Sequence, residues 1–162
     1  MEQLYFSEEM EQKLSYLYQS SLTMIEAPAG YGKSTAVRWA MREIPPEQVR
    51  WFTAVSFLQD TSLDWFIRQI STLDSHAGAG LRKLGFLNRS NVSDAADILS
   101  RLSIPTPCYL ILDNFQLIGD NWPLPLLQAI SDRPRDGLHV VLISQNFKKL
   151  RAVFESTSGV SR

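Results

Sequence analysis

The sequence predicts an α/β domain built on a mainly parallel sheet, and three observations carry that prediction. Short runs such as CYLILD and HVVLIS are apolar on both faces, which suits strands sandwiched between helices. They alternate with stretches whose apolar residues recur at helical spacing, the pattern of strands joined by helical crossovers. In addition, LTMIEAPAGYGKSTAVRWA runs from an apolar segment through a glycine-bearing loop into a helical stretch. A chain of 162 residues, 44% hydrophobic and 20% charged, is expected to form one domain over 1–162 or a fragment of one.

Each element has its own signal. Ser7 followed by Glu8 and Glu9 reads as a capped helix start, with the helix running to about Tyr18. Leu22 to Ala27 forms the first strand and stops at Pro28. From Lys33 to Arg42, Ala36, Val37, Ala40 and Met41 share one helix face, and Pro45-Pro46 ends the helix. Val49 to Val55 is the second strand. Leu63, Phe66, Ile67 and Ile70 line the next helix, capped by Ser62 or Thr61, with Trp65 as packing.

The stretch from Asp74 to Val92 contains three glycines and little periodicity, so it is expected to be a mobile connection with a short helix near Leu81 to Lys83. Ser93 is the expected cap of a helix carrying Ala95, Ile98, Leu99 and Leu102 on one face. Pro105 and Pro107 end it and release the strand Cys108 to Asn114. A helix from Leu124 to Ser131 and a strand from His139 to Ser144 follow.

Composition excludes some functions. Sixteen basic and seventeen acidic residues leave a net charge of -1, so no whole-domain field draws the chain to nucleic acid or anionic lipid, and any DNA binding lies elsewhere. The acidic N-terminus lacks a signal core and no stretch reaches membrane-span length, so a cytoplasmic location and no membrane partner are expected. Cys108, alone of its kind, is expected to pack as a small hydrophobe. His76 and His139 have no clustered ligands, and a structural role is expected for His139. The glycosylation-like triplets at Asn88 and Asn91 are short enough to arise by chance. The polar tail VFESTSGVSR does not look like the packed end of a domain.

The segment Ala27, Pro28, Ala29, Gly30, Tyr31, Gly32, Lys33, Ser34, Thr35 carries the chemistry. An anionic triphosphate needs inward-turned backbone N–H groups, a cation beside its outer phosphates and a hydroxyl on a magnesium ion. Gly30 and Gly32 permit close backbone approach, the following helix aims its N-terminus at the charge, Lys33 supplies the cation and Ser34 the hydroxyl. The pattern is a Walker A phosphate loop, A-x-x-x-x-G-K-S, with Ala27 in place of the usual glycine. Asp113, ending a later strand, suits a magnesium-supporting partner acting through water. Read alone, the loop would be a glycine-rich turn and Asp113 a helix cap or loop acid; the pair points to ATP and Mg²⁺.

APAGYGKST, together with VRWFTAVSFLQDTSLDWFIRQI, YLILDNFQLI and HVVLIS in the same order, resembles the N-terminal nucleotide-binding domain of the large LuxR-type, maltose-activator-like transcription regulators. These belong to the STAND class of P-loop NTPases. The resemblance implies a three-layer sandwich with sheet order 5-1-4-3-2, of which this sequence offers four strands, strand five being missing or incomplete. It also implies further regulator domains, a helical repeat sensor and a helix-turn-helix that binds DNA in the full-length protein. An uncovered first strand would then expose an edge suited to self-association.

The sequence departs from that family where catalysis would reside. Asn114 stands where the family usually has a second acid, and an amide is a poor acceptor for the proton of an attacking water. Gln145 follows Ser144 where the family usually has arginine, and glutamine cannot offset phosphate charge. Both changes leave the binding set Lys33, Ser34 and Asp113 in place. The expectation is an ATP-binding switch with slow or absent hydrolysis. The alternatives are a free-standing small P-loop ATPase or kinase, for whose lid Arg82, Lys83 and Arg89 are the only candidates and are more simply read as a solvated loop, and a non-nucleotide interaction domain with a decayed loop.

Overall fold

A computed structural model describes residues 12, 14–26, 33–56, 58–134, 136–145 and 147. In chain order the elements are β1 (Leu22–Glu26), α1 (Lys33–Ala40), β2 (Val49–Thr53), α2 (Ser62–Leu73), α3 (Ser75–Leu84), α4 (Val92–Arg101), β3 (Cys108–Asp113), α5 (Leu124–Ser131) and β4 (Leu138–Ser144). Short 3-10 turns at Phe115–Leu117 and Gly119–Asn121 follow β3. The four strands form one sheet in the order β1-β4-β3-β2, and every pairing is parallel. That is the expected order without strand five.

The double-sided burial read from the sequence has a simple origin. Along β3, Leu110 and Leu112 face a core with Phe66, Ile70, Leu81, Leu99 and Leu127 from α2–α5, while Tyr109 and Ile111 face Val37 of α1 and Met41 just after it. Residue alternation along a pleated strand thus supplies both outer layers of the sandwich. All six residues of β3 and all seven of β4 are buried, as central strands require. The helical residues 14–16 lie at the α1 face, where Leu14 and Leu17 join the core. Residues 7–11 and 13 of the predicted helix lie outside the described residues, as do Ala27 and the tail after Phe147.

Several expectations require correction. The segment after Asp74 is not a loose connection: it folds into the ten-residue helix α3. Asp74 caps it, its Oδ1 accepting from the Ala77 N–H at 3.1 Å. Two glycines that read as breakers are packing residues. A Cβ on Gly78 would lie 2.5 Å from the Cα of Ser71, so glycine is what lets α3 cross closely over α2, and one on Gly80 would press on Ile98 of α4 at 3.2 Å. Only Gly85 serves as a stop, with φ of 71° at the end of the helix.

The expected caps at Ser62 and Ser93 are also displaced. Ser62 is the first residue of α2 and Thr61 makes no side-chain cap; Asp60 Oδ1 instead accepts the Ser62 N–H at 2.8 Å. Ser93 lies within α4, whose flanking residue Asn91 uses its amide on the carbonyls of Leu84 and Phe86. The second strand ends at Thr53 rather than Val55, and Val55 is 86% exposed.

Cys108 is buried in the core, and burial pushes its thiol above its ordinary value. His139 stacks on Tyr109 at 4.7 Å and holds the Ser20 carbonyl through Nδ1 at 2.9 Å, a structural task at the end of the sheet opposite Asp113. Trp65 packs against Phe52 with ring centroids 5.5 Å apart.

A polar staple joins α4, α5 and β4. The Arg133 side chain is 1% exposed; Nη1 donates to the carbonyls of Leu99 and Leu102, and Nη2 to Asp136. Asp136 also accepts from the backbone N–H groups of Ile104 and Leu138. Burial raises the Asp136 pKa, but the Leu138 N–H, the Arg133 guanidinium and the Ile104 N–H outweigh it and hold the group below its ordinary 3.8. A depressed folded pKa means that the stabilisation is complete above the unfolded value and is lost as pH falls through the folded one. Urea midpoints are therefore expected to be level near neutrality and to fall below about pH 4, and Asp136→Asn is expected to flatten part of that fall.

Candidate functional site

Of the predicted residues, Asp113, Asn114 and Gln145 lie at the C-terminal ends of the strands. In a parallel sheet these ends deliver loops to one edge, where ligands of open α/β folds sit. β1 ends at Glu26 and leads to the glycine-bearing segment, of which Ala27, Pro28, Ala29, Gly30, Tyr31 and Gly32 lie outside the described residues, as does the Lys33 side chain. Helix α1 begins at Lys33, directly after that loop. β3 ends at Asp113, two strands from β1 across β4.

The structure brings Ser34 and Asp113 together. The Ser34 hydroxyl donates to Asp113 Oδ2 at 2.8 Å, across 79 residues of sequence. Asp113 is 6% exposed and its other oxygen accepts the Asn114 N–H at 2.8 Å, which fixes the carboxylate plane. Ser34 is half-buried and Thr35 exposed. The hydroxyl and the carboxylate are hard oxygen donors, the type that magnesium takes. Two protein oxygens fall short of its octahedral shell, so the set fits an ion that completes its coordination with phosphate oxygens and water. The donor chemistry thus fits the group the sequence implied.

Asn114 has a local structural task. Its backbone is left-handed, with φ of 58° and ψ of 41°, a conformation asparagine adopts more readily than glutamate. Its Nδ2 donates to the Ala54 carbonyl at 3.2 Å, tying the end of β3 to the end of β2. Gln145 is exposed and follows Ser144, which is in register with Glu26; its backbone N–H donates to Gln116 Oε1 at 3.2 Å. The glutamine therefore leaves the sheet beside the end of β1.

Other contacts at this edge were not legible in advance. The Trp122 indole N–H donates to the Ser62 hydroxyl at 2.8 Å, and Asn121 Nδ2 donates to Asp60 Oδ2 at 3.0 Å, so the turns after β3 are bound to the start of α2. Glu26 Oε1 accepts the Phe147 N–H at 2.8 Å and pins the segment after β4 to the end of β1. The signal for such links lies only in polar residues just past strand ends. Among the described residues no helix is long and apolar enough to cross a membrane. No protein-family model matches the chain, and no curated protein sequence matches it.

Proposed function

We infer that this chain is the ATP-binding switch module of a signal-responsive, cytoplasmic transcription regulator, with Mg-ATP held at residues 27–34 and hydrolysis slow or absent. The contact between Ser34 and Asp113 carries the reading. A serine one position past the loop lysine and an acid ending a distant strand meet at hydrogen-bond distance, as magnesium chemistry needs. The sheet order supports it, since β1 and β3 flank β4 and end on the same side of the sheet.

In this reading the loop amides and the α1 N-terminus receive the phosphates, Lys33 offsets their outer charge, and Ser34 with Asp113 orients the ion. Bound magnesium supplies charge neutralisation at the phosphate oxygens. Asn114 offers an amide already engaged by Ala54 instead of a proton acceptor, and Gln145 brings no charge. Binding then outlasts turnover, and the nucleotide biases a conformational equilibrium through contacts that its diphosphate lacks. The regulator's remaining domains would read that bias. The kinase reading has less support, because Arg82 and Lys83 sit in the last turn of α3 and leave only Arg89, in the short turn before α4, on a loop.

Calorimetric titration with ATP, ADP and GTP in magnesium tests the reading. Saturable heat with ATP that Lys33→Ala removes is expected; no heat with any nucleotide would favour an interaction domain with a decayed loop. The double change Asn114→Glu with Gln145→Arg is expected to raise steady-state turnover, and no gain would contradict the assignment of slow hydrolysis to these two positions. Glutamate in the left-handed backbone at 114 should also lower stability by about 1 kcal/mol, which a parallel urea curve will show.

A further inference from the structure

Away from the nucleotide site, α2 and α3 border a cleft of about 430 Å³ lined by Leu63, Ile67, Leu81 and Leu87. At its rim stands Phe86, 97% exposed. That exposure is built in. Gly85 turns the chain with φ of 71°, and the Phe86 carbonyl accepts two side-chain amides, Asn88 Nδ2 at 3.2 Å and Asn91 Nδ2 at 2.9 Å. The loop thus presents an aromatic ring to water beside an apolar cleft large enough to receive one, a combination that marks an interaction surface.

The charges beside the cleft name the partner. Asp64, on the α2 wall, meets Arg68 only at 3.9 Å with both side chains over half exposed, so little of its charge is committed. The Arg82 side chain, on the α3 wall, has no ion-pair or hydrogen-bond partner among the described residues. An acid on one wall and a base on the other make the patch complementary to itself under a two-fold rotation. Projecting ring and receiving cleft also belong to one patch, so a single two-fold operation can satisfy both at once.

We propose that this face is an isologous dimer interface, in which Phe86 of each copy enters the cleft of the other and Arg82 of each meets Asp64 of its partner. The interface does not depend on the nucleotide reading.

Sedimentation velocity of the full chain from about 1 µM to about 300 µM, the range of moderate to weak association, tests it. A reversible monomer–dimer equilibrium is expected. Phe86→Ala should weaken it at least about tenfold, as loss of a central aromatic anchor does. Arg82→Glu and Asp64→Lys should each weaken it about tenfold by placing like charges opposite one another, and the chain carrying both should recover most of the loss. All three positions are solvent-facing, so melting curves of the variants should match the parent. A chain that stays monomeric throughout overturns the proposal, and uptake of an apolar dye by that monomer would assign the cleft to a small ligand. A dimer indifferent to Phe86→Ala, or a double variant no better than its singles, overturns it equally.

Discussion

Arg133→Ala is expected to lower the unfolding free energy by about 3–5 kcal/mol, the cost of breaking a buried ion pair from one side. Three separate debts fall due. The carbonyls of Leu99 and Leu102 lose their donor near the end of α4, and Asp136 keeps a charge in a partly buried place with its cationic partner gone. The cavity left by a side chain 1% exposed adds a packing loss. Arg133→Met restores volume but not donors and should recover only part. Urea unfolding of the three chains decides: a loss below about 1 kcal/mol for the alanine variant, the range of ordinary surface pairs, would mean that the staple is incidental.

Asp113→Asn is expected to reduce the magnesium-dependent part of ATP affinity by about ten- to a hundredfold, the usual effect of removing a group that orients a metal ligand. The amide is nearly the size of the carboxylate; its Oδ1 can accept the Asn114 N–H while its Nδ2 donates to the Ser34 hydroxyl oxygen, so the fold should persist. The missing quantity is the negative charge beside the ion. Titrations with magnesium and with EDTA separate the effects. The variant should match the parent in EDTA and fall behind it in magnesium, whereas an equal loss in both would make Asp113 a fold residue only.

What could be read from the sequence followed from how strongly burial constrains each element. β3 and β4 were legible because both their faces are covered, which leaves only apolar residues until the strand ends at Asp113 or Ser144. The meeting of Ser34 with Asp113 was legible because a strand, loop and helix in that order set one end of the contact and a strand-terminal acid the other. Helix α3 was not, because glycine carries two opposite meanings. It can loosen a chain, or it can let helices touch, and only the partner Ser71 shows which applies at Gly78.

Asn114 illustrates the same limit at the site. Its chemistry suggested a missing acid, whereas its left-handed backbone and bond to Ala54 give a further local reason for asparagine there. Backbone conformation after a strand is set by the neighbouring strand end, which a single sequence does not display. The helix caps were legible only in part: Thr61 is the N-cap residue of α2 but makes no cap bond with its side chain, Ser62 is taken up by Trp122, sixty residues away, and Asp60 accepts the Ser62 N–H.

The central claim is that the loop before α1 holds Mg-ATP against Ser34 and Asp113, and the melting temperature measures it most directly. A ligand present at a hundred times its dissociation constant adds about 2.7 kcal/mol to the folded state, which for a domain of this size raises the melting temperature by roughly 5–10 °C. The account predicts that rise with magnesium and ATP together, a smaller one with ATP in EDTA, and none for Lys33→Ala. A melting temperature unmoved by magnesium with ATP, ADP or GTP at millimolar concentration would contradict it.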